Sequence, residues 1–166
     1  MAHNPSPGRI IGDNRFFFST NGDSFEELLR QAHCDALPDF VTAMQGNCQI
    51  PRYPYEEYEL LPLKEEHTPL DIISLKGYQT RFATTRELLR FLSEFPGIAR
   101  RFRRIPMLNQ DYITFCNPTA LPTFRAKGDG FELYREKRNI VLSVGDCVLL
   151  RMPVQPIAVV GHSLVA

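Results

Sequence analysis

Two periodicities divide the chain. Between residues 20 and 104 apolar side chains recur at helical spacing, whereas beyond 105 they come in short β-prone runs broken by turn residues. Phe25, Leu28, Leu29 and Ala32 fall on one stripe, and Ser24 with Glu27 three positions on forms a capping box. The pattern predicts a helix from there to about Leu37, before Pro38, and a second short one from Asp39 to about Met44. Thr84 and Glu87 make another capping box ahead of Leu88, Phe91, Leu92 and Phe95, the most regular amphipathic helix in the chain. Pro96 breaks it and opens a further helix, Gly97–Arg104. At about 100° per residue, Ile98 and Phe102 take its back and Arg100, Arg101, Arg103 and Arg104 its front.

Strand signals begin at Arg9–Ser19, a short strand or a hairpin with Gly12-Asp13-Asn14 as its turn. Its adjacent Phe16, Phe17 and Phe18 cannot all face one side, so one must be covered by another element or a partner. Asp71–Tyr78 reads as a strand closed by glycine. Beyond 105, strands are expected at Tyr112–Cys116, Phe124–Ala126, Phe131–Arg135, Ile140–Val144, Cys147–Arg151 and Ile157–Leu164, with a turn at Lys127–Gly130. The expected fold is α+β: a helical N-terminal two-thirds packed on an antiparallel, β-rich, small barrel-like C-terminal part. Residues 1–8 read as a flexible tail, and 9–166 as a single domain, helix-rich over 20–104 and β-rich over 105–166.

Composition adds bounds. At 166 residues, 43% hydrophobic and 23% charged, the chain can bury a core and has a soluble protein's balance. No apolar run approaches the roughly 20 residues of a membrane helix. The first residues lack a signal-peptide pattern, so a cytoplasmic location and no membrane partner are expected. Cys34, Cys48, Cys116 and Cys147 share no metal or redox spacing and read as free thiols.

Net charge is zero but unevenly spread: residues 1–71 hold five Arg and Lys against twelve Asp and Glu, and residues 72–166 hold fourteen against seven. Either the acidic part folds over the basic part, or a basic face stays open for an anionic partner. The basic part suggests non-enzymatic nucleic-acid binding, RNA or another polyanion, through Arg100, Arg101, Arg103 and Arg104 with Lys76, Arg81 and Arg90 beside them. Arg125, Lys127, Arg135, Lys137, Arg138 and Arg151 add charge, and Tyr78, Tyr112 and Tyr134 offer rings for stacking on bases. The competing assignment is a solvated helix face, neutralised by acids such as Glu56, Glu57, Glu65 and Glu66. A second function class is a protein-interaction or structural adaptor, using Tyr53, Tyr55 and Tyr58 among the acids of segment 51–66. A third is a cysteine-dependent hydrolase pairing Cys48 with His162. Gln49–Pro54 cannot start the helix that usually activates such a thiol, so no catalytic residue is assigned. No spacing signals a metal or a cofactor.

The run Ile140–Leu150, followed by Pro156–Ser163, resembles the closing strands of PUA-like RNA-binding barrels, in which a Gly-Asp turn precedes a strand and a final strand ends near a glycine. The resemblance implies a small barrel. Its Gly145-Asp146-x-Val148 core also occurs in SH3-like, BAH-like and OB barrels, so no binding residue is carried across.

Overall fold

The computed structural model describes residues 8–19, 23–36, 38, 56–74, 82–108 and 120–152. The first hairpin is present: β1 (Arg9–Gly12) pairs antiparallel with β2 (Arg15–Phe18), and Asn14 in the turn takes φ 58°. The three phenylalanines part as the pleat demands. Phe16 and Phe18 are buried, while Phe17 turns to the other face with the Arg9 guanidinium 5.0 Å from its ring centre. Helix α1 (Phe25–Gln31) starts where Ser24 Oγ accepts the Glu27 N–H at 3.1 Å. It stops short of Leu37, because His33 adopts a left-handed conformation (φ 49°) and the chain turns into β3 (Cys34–Ala36).

Strand β4 (Glu56–Pro62) occupies most of the described part of the segment read as an irregular arm. Helix α2 (Pro69–Ser74) replaces the strand expected from Asp71. There Thr68 Oγ1 accepts the Asp71 N–H while the Asp71 carboxylate accepts the Thr68 N–H, with Pro69 in the first turn. This cap outweighs the β-propensity of Ile72 and Ile73. Helices α3 (Thr85–Glu94) and α4 (Pro96–Ala99) follow, then β5 (Ile105–Pro106), β6 (Ala120–Lys127), β7 (Gly130–Lys137) and β8 (Cys147–Arg151).

The strands form two four-stranded sheets, β1-β2-β4-β8 and β3-β7-β6-β5. Each mixes strands from both ends of the chain: β4 pairs antiparallel with β8, and β3 parallel with β7. The expected helical two-thirds beside a separate barrel-like part is therefore corrected. Among the described residues strand outweighs helix, the helices are few and short, and no barrel closes. The physical reason lies in β8, whose Cys147, Val148, Leu149 and Leu150 are all buried and so need cover on both faces and a paired edge. Strand β4 supplies the edge. Ile140–Val144 is no strand; Leu142 and Val144 make isolated bridges only. The helix expected at 39–44 and the strands expected at 112–116 and 157–164 lie outside the described residues.

The second edge of β8 joins the sheets. The Cys147 N–H donates to the Arg104 carbonyl at 3.1 Å and the Arg103 N–H to the Gly145 carbonyl at 2.7 Å, so the chain entering β5 runs along β8. Helix α3 is buried from Thr85 to Leu92, on its polar side as well as its apolar one. Phe91 is fully enclosed by Phe16, Phe18 and Phe95, at ring distances of 5.2, 6.3 and 5.7 Å, and Phe18 stacks on Tyr58 at 3.9 Å. Cys147 and Leu149 face this core. Val148 and Leu150 face a second one with Leu63, Ile72, Phe82, Leu108, Leu121 and Leu142. Gly130 lets β7 run against β3, since a Cβ there would overlap the His33 carbonyl oxygen. No helix among the described residues is long and apolar enough to cross a membrane.

Phe91→Ala is expected to cost about 3–5 kcal/mol, read as a lower urea midpoint. Val144→Ala, at a position 69% exposed, should leave the midpoint in place. A Phe91 variant as stable as its parent would take α3 out of the core.

Candidate nucleic-acid interface

The arginine segment is not one helix. Helix α4 ends at Ala99, and the Arg101 and Phe102 N–H groups bond three residues back, to Ile98 and Ala99, at 3.1 and 3.2 Å. The Arg103 N–H then leaves for Gly145. Four arginines on one short face repel one another, and a buried acid offers two of them a better place. The Asp146 carboxylate has no exposed surface. It accepts from Arg103 Nε and Nη2 at 3.2 and 2.9 Å, from Arg104 Nε and Nη2 at 3.1 and 2.9 Å, and from the Ser143 N–H at 2.9 Å. Burial pushes this carboxyl up, but the two guanidiniums and the Ser143 N–H outweigh it and hold it below its ordinary value.

Arg100 goes elsewhere, donating to the Gly130 and Gly128 carbonyls at 3.0 and 2.7 Å, and so holds the turn between β6 and β7. Arg101 is exposed and makes no ion pair with the described residues. Arg90 is buried; it donates to the Ser19 carbonyl at 3.2 Å and to Gln31 Oε1 at 3.1 Å, and pairs with Glu94 at 2.8 Å. Lys76 and Arg81 lie outside the described residues. The expectation that Arg100, Arg101, Arg103 and Arg104 form one basic front with Arg90 beside it is thus corrected: these five point to four different surroundings.

The acidic–aromatic arm is corrected in its described part. Tyr58 is an interior residue of β4, its hydroxyl donating to the buried Glu87 carboxylate, which also accepts from the Thr84 N–H at 3.0 Å and from Arg151 Nε at 3.1 Å. Tyr53 and Tyr55 lie outside the described residues, as do Cys48 and His162. Cys34 and Cys147 are free and buried. Burial, then the Asp35 charge, pushes the Cys34 thiol up to about 12, and burial raises Cys147 likewise. No set of three or more metal-ligating side chains assembles among the described residues.

Cations, acids and one aromatic ring do assemble on the face of β6 and β7 that carries Arg125, Lys127, Glu132 and Tyr134. Cross-strand pairing sets Arg125 opposite Glu132 and Thr123 opposite Tyr134. The Arg125 guanidinium lies 3.9 Å from the centre of the Tyr134 ring while its Nε donates to Glu132. Lys127 reaches Glu132 at 3.3 Å and Asp35 at 3.8 Å. Burial, then the neighbouring Glu136, pushes the Tyr134 hydroxyl up to about 12, so it stays a neutral donor. Arg103, 57% exposed despite its pair with Asp146, lies near Tyr134. Sequence reasoning found these cations individually. It missed Asp146, whose one signal was a Gly-Asp turn between two β-prone runs.

No protein-family model matches the chain, and neither a curated protein nor a solved structure does.

A carboxyl held below its ordinary value contributes stability that is complete above the unfolded value of about 4 and is lost as pH falls through the lower folded one. Asp146→Asn is therefore expected to cost about 3 kcal/mol at neutral pH and to remove this share of the acid dependence below about pH 4. Urea unfolding at pH 7 and pH 3 checks both; an unchanged midpoint at pH 7 would refute the clamp.

Proposed function

We propose that this chain is a non-enzymatic module that binds single-stranded RNA on the face of β6 and β7 that carries Arg125, Lys127 and Tyr134, with Arg103 at its margin. The observation that carries the reading is the Arg125 guanidinium laid over Tyr134 in a strand pair rich in cations. Over residues 125–138 the strand pair and its turn hold Arg125, Lys127, Arg135, Lys137 and Arg138 against Asp129, Glu132 and Glu136, five charges against three, and of these cations Arg125 and Lys127 share the face of Tyr134. Unpaired bases present flat rings and phosphates together. A guanidinium plane backed by an aromatic ring meets the first by stacking and the second by bidentate hydrogen bonds. The Arg125–Glu132 pair is partly exposed and worth about 0–1 kcal/mol, so a phosphate can compete for the arginine. This differs from the arginine-helix version, because Arg100, Arg103 and Arg104 also hold the fold. An RNA partner suits the expected cytoplasmic location. The adaptor reading through Tyr53, Tyr55 and Tyr58 loses support, since Tyr58 is interior.

Fluorescence anisotropy with a labelled oligouridylate tests it. Affinity should fall steeply with salt, with a logarithmic slope of about −0.7 per phosphate contact on a single strand. The combined Arg125→Ala and Lys127→Ala variant, which empties that face of its two cations, should bind at least roughly tenfold more weakly with a shallower slope. Tyr134→Leu should cost about 1–3 kcal/mol for each base stacked there. No binding by about 10⁻⁴ M at low salt, or a double variant that binds as its parent does, would overturn the reading.

A further inference from the structure

A pocket of about 540 Å³ opens beside the second core. Its walls are Pro69, Leu70 and Ile73 of α2, with Leu121 of β6 behind them, and Arg138 and Asn139 of the turn after β7 close it. The volume lies in the range of about 300–1,000 Å³ usual for small-molecule sites and far below a protein interface. The pocket is held open by backbone structure. His67 and Leu142 exchange N–H···O=C hydrogen bonds, both 2.8 Å, which fix the start of α2 against the segment after β7. The Thr68–Asp71 cap then sets the direction of α2. Leu70 is 67% exposed, an apolar side chain at a helix surface that nothing among the described core clusters covers.

The geometry points to this pocket as the seat of a small apolar acid, a carboxylate carrying a hydrocarbon chain of about ten carbons. Pro69, Leu70, Ile73 and Leu121 offer the chain nothing but apolar contact. Arg138 is the one ionised side chain in the lining among the described residues. A guanidinium carries five N–H donors in a planar fork, so it can take a carboxylate in bidentate fashion alongside its other contacts. Hydrocarbon wall and single cation together select against small polar anions, which gain nothing from the wall, and against neutral hydrocarbons, which gain nothing from the cation.

Isothermal titration with decanoate, below its micelle concentration, tests this. Binding is expected. Octanoate, two methylenes shorter, should bind roughly fifteenfold more weakly, since each buried methylene is worth about fourfold. Decanol should bind at least about tenfold more weakly than decanoate, and Arg138→Gln should weaken decanoate by a similar factor, because both remove a charge-assisted hydrogen bond. Ile73→Trp should block the site. Leu70→Trp, at an exposed position and so without cost to folding, provides the same test should the Ile73 variant misfold. Absence of decanoate binding, decanol binding as well as decanoate, or a Leu70→Trp variant with the parent's affinity would each overturn the assignment.

Discussion

Asp146 sits where the two sheets meet, with its carboxylate shut away from solvent, so its charge has to be met by the protein. Leaving such a charge unpaired would cost several kcal/mol, more than most single contacts return. Arg103 and Arg104 each meet it with two donors, and the Ser143 N–H adds a further one. The backbone of the same residue is equally engaged: its carbonyl accepts the Leu63 N–H at 3.0 Å and its N–H donates to Ser143 at 2.9 Å. One residue thereby ties the chain after β4, the turn before β8 and the approach to β5. Gly145 makes this possible by taking φ 103°, a conformation that side chains disfavour. Without this knot, Arg103 and Arg104 would have no reason to leave the helix and β5 would have no fixed place beside β8.

The central helix follows the same logic. A surface helix could leave Arg86, Glu87 and Arg90 to water; α3 cannot, because it is buried all round. Each therefore has a partner from a distant part of the chain. Arg86 donates to the Asp23 carbonyl, Glu87 accepts from Tyr58 and Arg151, and Arg90 meets Ser19 and Gln31. A polar network of this kind adds less net stability than an apolar face would, but it rejects wrong packings, since any shift of α3 strands a charge. The aromatic side, Phe91 among Phe16, Phe18 and Phe95, supplies the stabilising area, and the polar side fixes which way the helix faces.

Features set by neighbours in sequence were legible from it. The Ser24 and Thr84 caps, the turn before Arg15, the Lys127–Gly130 turn and the limits of β8 all follow from residue types within a few positions. The Thr68–Asp71 cap was equally local and was lost beneath two β-branched isoleucines. Strand partners were not legible. That β8 takes β4, and β7 takes β3, depends on contacts across most of the chain, and so does the burial of Tyr58 beneath a string of acids. The arginine run misled for the same reason. Its periodicity was helical, but the acid that breaks it lies some forty positions away.

The uneven charge of the chain takes on a different meaning once the pairs are seen. Arg90, Arg103, Arg104 and Arg125 pair with Glu94, Asp146 and Glu132, acids of the same basic half, and Lys127 pairs both with Glu132 at 3.3 Å and, across the halves, with Asp35 at 3.8 Å. These four arginines thus find acids within their own half. Among them two sorts must be told apart. A guanidinium on a carboxylate with no solvent exposure cannot change partners without stranding a buried charge, so Arg104, itself largely covered, is bound to the fold. A guanidinium at a partly exposed pair loses little by exchanging one anion for another. Arg125, half exposed and already laid flat on Tyr134, is of that second sort, and Arg101 has no pair among the described residues to give up. Density of arginine in sequence thus marks where the protein holds itself together, and the arginine held by an exchangeable pair lies on the neighbouring sheet.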